Sequence, residues 1–197
     1  DLRGRVLSPA ELLAVVPRAD AARDEALITA ARLVDDVAHR GEEALREQAA
    51  RFDRVSDHAL RVPADHLEEA LRDLAPEIRA ALDAAIERVR TASAAQVPPP
   101  VVTEIGVGAR VTQRWQPVRR VGLYVPGGKA VYPSSVVMNV VPAQVAGVRE
   151  VALASPPQSA FGGRVHPVIL AAARLLGVTE VYAMGGAGAI GAFAYGV

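Results

Sequence analysis

The chain has 197 residues, 22 basic and 22 acidic side chains, 51% hydrophobic residues and no cysteine. A formal net charge of zero argues against a nucleic-acid binder held by a basic field, and the apolar runs fall far short of the roughly 20 residues that span a bilayer. Disulfides and cysteine-based zinc sites are excluded, and the composition predicts a soluble globular protein for which a reducing cytoplasm is the expected compartment.

The first hundred residues read as helices. Ser8-Pro9-Ala10-Glu11 is a capping box with proline at the first helical position, followed by an apolar stripe of Leu12, Leu13 and Val16. A second helix is expected over about 21–39, with Ile28, Ala31, Leu33 and Val37 on its buried stripe and Gly41 as its stop signal; a third then covers 42–52. Pro63 opens a segment carrying Leu67, Leu71 and Leu74. Pro76 starts the longest expected helix, with Ile78, Leu82, Ile86 and Val89 at helical spacing.

From Val101 the period changes to two. Val111, Gln113 and Trp115 fall on one face and Thr112 and Arg114 on the other, as in a half-buried strand. Strand then alternates with helix: strand 121–125, a helix capped by Ser134 or Ser135 and ending at Gly147, strand 151–154, a helix from Pro167 to Gly177, strand 181–184 and a last short helix. The fold class expected is therefore α/β, a helical N-terminal segment followed by an incomplete Rossmann-like β-α-β-α-β-α parallel sheet with ligands at the strands' carboxyl ends. Charge and glycine support the division. Residues 1–100 carry 14 basic and 19 acidic side chains, net −5, and 101–197 carry 8 and 3, net +5; of the 16 glycines only Gly4 and Gly41 lie in the first hundred. The expected domains are 1–117, helical and ending in a strand, and 118–197, the parallel-sheet part.

Three loops leave the carboxyl ends of the strands. In the first, 124–135, Gly127 and Gly128 permit close approach of backbone to a ligand, and Tyr124 offers an aromatic face. It is not a Walker loop, because Ala130 follows Lys129 where a hydroxyl would hold magnesium; a tight turn with an N-cap explains it as well. The second, Ser155-Pro156-Pro157-Gln158, is stiff and polar and receives no chemistry. The third carries a formal G-x-G-x-x-G at Gly186, Gly188 and Gly191 between a strand and a helix; close helix packing explains these glycines equally well. His39, His58, His66 and His166 have neither helical partner spacing nor a carboxylate relay, so structural roles are expected for them and a metal site is not. The acidic pairs Asp35-Asp36, Glu42-Glu43 and Glu68-Glu69 are expected on solvated faces.

The run Val121-Gly122-Leu123-Tyr124-Val125-Pro126-Gly127-Gly128, continued by Tyr132-Pro133-Ser134-Ser135-Val136-Val137-Met138-Asn139, resembles histidinol dehydrogenase. Ser155-Pro156-Pro157 and Gly185-Gly186-Ala187, then Ala194-Tyr195-Gly196, follow in that family's order; Asp1-Leu2-Arg3-Gly4 and the stretch 41–52 are similar to its N-terminal part. The resemblance implies a zinc-containing homodimeric enzyme of histidine biosynthesis that oxidises L-histidinol through the aldehyde to L-histidine with two NAD molecules in succession. It implies a cofactor contact for Tyr124 and for the position of Gly188, where the family usually has glutamine. It also implies that the acid-base pair and the zinc ligands follow Val197, so that the chain is expected to be the N-terminal half and inactive alone. The start at Asp1, without Met, predicts that a few residues precede it. A catalytically inactive nucleotide-binding or structural remnant is the alternative reading, and a helical interaction module on 1–100 a third.

Overall fold

The first helix begins as its capping box predicts. In a computed structural model that describes residues 4, 6–15, 20–127 and 130–197, α1 (Pro9–Val15) starts with Ser8 Oγ donating to Glu11 Oε2 at 2.6 Å and accepting from the Glu11 N–H at 3.3 Å. Asp1, Leu2, Arg3, Val16, Gly128 and Lys129 lie outside the described residues. Helix α2 (Asp20–Arg40) has 21 residues and exceeds α5 (Pro76–Ala94), with 19, which was expected to be the longest. Its buried face also differs from the expected stripe. Val37 is fully buried and Ala30, Leu33 and Val34 are half-buried, whereas Ala31 is exposed and Ile28, within the exposed stretch 24–29, is 54% exposed. Gly41 ends α2 with a φ of +60°, and α3 (Glu42–Phe52) and α4 (Ala64–Arg72) follow.

The residues after α5 form an antiparallel hairpin, β1 (Val101–Gly106) and β2 (Ala109–Gln113). Every residue of both strands is exposed, so the expected half-buried strand is corrected: within the described residues no layer lies against either face. Trp115 stands outside the strand and is 60% exposed.

Three parallel strands, β3 (Arg120–Tyr124), β4 (Glu150–Ser155) and β5 (Glu180–Ala183), pair in chain order. They alternate with α6 (Pro133–Val145), α7 (Pro167–Leu175) and α8 (Gly186–Tyr195), and a single 3-10 turn, Ser159–Phe161, follows β4. The β-α-β-α-β-α order is therefore as expected. The cap of α6 is not, since Tyr132 occupies the N-cap with no side-chain bond and Pro133, not a serine, sets the first turn. A short piece of the first half joins the sheet: the Val62 N–H donates to Val181 O at 2.8 Å and the Ala183 N–H to Leu60 O at 2.7 Å, covering the β5 edge.

The two-residue period of the strands divides the core. Val125, Leu153, Val181 and Ala183 point to one face and pack with Val136, Val140 and Ile169 of α6 and α7, together with Leu67 of α4 and Leu82 of α5. Tyr124, Ala154, Tyr182 and Met184 point to the other and pack with Ala189 and Ala192 of α8, Val37 of α2 and Leu45 of α3. Each inner helix thus carries an outer one, α5 on α6, α4 on α7 and α2 on α8. The apolar stripes of the N-terminal helices are buried against the helices of the sheet, and this packing carries α3 round to the sheet's carboxyl edge.

Candidate functional site

The two edges of the parallel sheet differ in charge and shape. At the amino edge Arg120 of β3 pairs with Glu150 of β4 at 3.1 Å and with Glu180 of β5, and Tyr182 donates to Glu180 at 2.7 Å. The carboxyl edge has no such ladder among the described residues. There Pro156 is wedged between two loops: a Cβ on Gly127 would lie 2.8 Å from its Cγ, and a Cβ on Gly185 would lie 2.8 Å from its Cβ. Larger side chains at those two glycines would push the loops apart.

A cleft of about 270 Å³ opens over this edge. Its floor is Tyr124, Gly127, Pro156 and the start of α8 at Gly185, Gly186 and Ala187; its opposite wall is Leu33 of α2 with Leu45, Gln48, Ala49, Phe52 and Asp53 of α3 and its C-cap. The Gly186 N–H donates to the Tyr124 hydroxyl at 3.2 Å, so a side chain from the end of β3 caps the free donor end of α8. Gly186 has φ of +60°, a left-handed conformation in which a side chain would be strained. Gln48 donates through Nε2 to Leu33 O at 3.1 Å, tying α3 to α2. Asp53 is half-buried, and burial pushes its carboxyl up to about 6. Larger hollows of about 470 and 530 Å³ lie between α4 and α7 and beside Trp115, away from the ends of β3 and β5.

A family model for histidinol dehydrogenase matches residues 16–197. The chain belongs to the histidinol dehydrogenase family. It is 60% identical over 197 residues to a histidinol dehydrogenase of Leifsonia xyli subsp. xyli and 53% identical over 196 residues to one of Mycolicibacterium smegmatis. In both comparisons the whole of this chain is covered, and it spans 45% and 44% of the relatives' own lengths. The crystal structure of histidinol dehydrogenase from Elizabethkingia anophelis superposes with a TM-score of 0.83 at 27% identity, covering 97% of this chain and 44% of that one.

Of the two positions that the histidinol dehydrogenase resemblance marks for cofactor contact, one lines the cleft and one lies behind it. Tyr124 stands at the carboxyl end of the first parallel strand beside the start of α8, as expected from the sheet rule. Gly188, one residue past Ala187, is buried, and a Cβ there would overlap Gln48 Oε1 and come within 3.1 Å of Gln48 Cδ. Gly191 likewise meets the backbone of α2, its added Cβ lying 3.3 Å from Val34 Cα and Val34 O. Those two glycines let α8 approach α2 and α3 closely.

Sequence reading missed the α3 wall. The one signal Asp53 carried is an acid at a helix C-cap, where it opposes the negative end of the helix dipole. Among the described residues no three His, Asp or Glu side chains come together to hold a metal ion, so the zinc that the resemblance implies does not fit any group of residues here. His58 and His166 have structural partners: His58 Nε2 donates to Ala183 O at 2.9 Å, and His166 Nδ1 caps α7 by accepting from the Val168 N–H at 3.2 Å.

Proposed function

We propose that this chain supplies the NAD-binding cleft of an enzyme that oxidises L-histidinol through histidinaldehyde to L-histidine, the last two steps of histidine biosynthesis. The observation that carries the reading is the Tyr124 hydroxyl set on the Gly186 N–H at the carboxyl edge of the sheet, within a cleft walled by apolar side chains. Backbone without a side chain at Gly186, where an added Cβ would meet no neighbour, leaves room for a pyrophosphate, and the donor end of α8 favours its charge. The Tyr124 hydroxyl accepts one hydrogen bond from the helix and keeps its own proton to donate to the cofactor. Pro156 fixes the spacing of the two loops and Phe52 shields the cleft mouth from water. When bound, NAD supplies a hydride acceptor. No residue of this chain is assigned the proton transfers or the zinc ligation of the reaction. A soluble, cytoplasmic homodimer acting on a small-molecule substrate belongs to the same proposal, and no described helix is long and apolar enough to cross a membrane.

The test separates binding from turnover. The 197-residue chain is expected to bind NAD and to produce no NADH from L-histidinol, because no described side-chain constellation replaces a general base. NADH formation above an enzyme-free control contradicts the second expectation; absence of NAD binding contradicts the first.

A further inference from the structure

Asp53 stands between two helix ends. It closes α3 at the end where a carboxylate is least favoured, is half-buried, and has no hydrogen bond or ion pair among the described side chains that explains it. Its Oδ2 lies 3.4 Å from the position a Cβ on Gly185 would take, directly beside the backbone that opens α8. Leu33, Leu45 and Phe52 stand on the same wall of the cleft.

That arrangement pairs an apolar slot with a carboxylate next to a helix N-terminus. A volume of about 270 Å³ is below the roughly 300–1,000 Å³ of pockets that enclose a whole drug-sized ligand, so the cleft suits one nucleoside half of a dinucleotide. The base is served by the apolar wall, the phosphates by the Gly186 end of α8, and between them a ribose presents two hydroxyl donors. A carboxylate accepts from such a diol and repels a phosphate in its place.

Resting on the NAD-cleft reading above, we propose that Asp53 binds the hydroxyls of the adenosine ribose and is the residue that selects NAD over NADP. In this reading the ribose-binding acid comes from the end of an N-terminal helix packed over the sheet, and the strands themselves supply the Tyr124 and Gly185 sides of the site.

Calorimetric titrations of the 197-residue chain with NAD and with NADP, repeated on Asp53→Asn and Asp53→Ser, test this, with thermal melts to establish that each variant is folded. The unaltered chain is expected to bind NAD at least tenfold more tightly than NADP at pH 7.5. Asp53→Asn is expected to weaken NAD about tenfold, the size of a lost charge-assisted hydrogen bond, while leaving NADP unchanged or tighter, so that the preference disappears. If the chain binds NAD but the NAD-to-NADP ratio is the same in folded Asp53 variants, the Asp53 assignment is overturned and the cleft reading stands. Equal weakening of both dinucleotides overturns it as well. No NAD binding by the unaltered chain overturns the cleft reading and this proposal together.

Discussion

At the scale of single residues, the glycines of the third loop show how one motif can satisfy two physical demands. Gly186 adopts a left-handed φ at the mouth of the cleft, while Gly188 and Gly191 face α3 and α2. A G-x-G-x-x-G spacing is legible in the sequence; which neighbour each glycine admits is not, because that neighbour lies about 140 residues earlier in the chain. Gly188→Gln gains about 0.5 kcal/mol of helix propensity but must displace Gln48 from Leu33 O, and overpacking of this kind costs about 1–3 kcal/mol. The variant is expected to be less stable by about 1 kcal/mol in urea unfolding, and Gln48→Ala is expected to relieve most of that loss in the double variant. Additive effects of the two changes would separate Gly188 from Gln48.

Asp53 sets a pH dependence of its own. Its folded-state carboxyl titrates at about 6, above the usual value near 3.9 for an unfolded aspartate, so the folded chain binds the extra proton between those values. Stability contributed by that proton is fully present below about pH 4 and is lost as pH rises through about 6. Asp53→Asn removes the cost of burying the charge. After discounting for the side chain's partial exposure, the gain at pH 7.5 is expected to be about 0.5–1 kcal/mol, with none at pH 4. Thermal melts at the two pH values check this; a variant less stable at pH 7.5 than the parent would contradict it.

At the scale of elements, local signals specified most of the fold. The Ser8–Glu11 box, the prolines at positions 76 and 167 and the continuous apolar strands each correspond to an observed start or strand. What local pattern could not specify was the partner of each face. The Val111–Gln113 alternation is that of a half-buried strand, yet no layer of the described residues covers it; the α2 stripe is offset toward Val34, where Gly191 of α8 meets the helix. Gly122 is the reverse case, a strand glycine without a turn role. A Cβ on it would overlap the Phe193 ring, whose edge meets Tyr182 with ring centroids 6.0 Å apart. Gly122→Ala must lift α8 from the sheet and is expected to destabilise by about 2 kcal/mol, since a packed ring cannot yield as a flexible chain end can. Recovery of that stability in Gly122→Ala with Phe193→Leu would show that the ring is the obstacle.

At the scale of the whole molecule, the site exists because helices of the first half pack into the core on both faces of the sheet. Parallel strands place Tyr124 and Gly186 on one edge, a consequence of topology that sequence order already dictates. The opposite wall, Gln48 to Asp53, reaches that edge through α2 packing on α8, a contact between chain segments about 150 residues apart that no local window contains. The central claim is that the cleft between these two halves takes NAD. Backbone amide NMR of the 197-residue chain titrated with NAD measures this directly: shifts are expected to saturate and to concentrate at Asp53, Tyr124, Gly185 and Gly186. Shifts gathered instead around His66 and Arg164 in the larger hollow, or no shifts at millimolar NAD, would contradict the account.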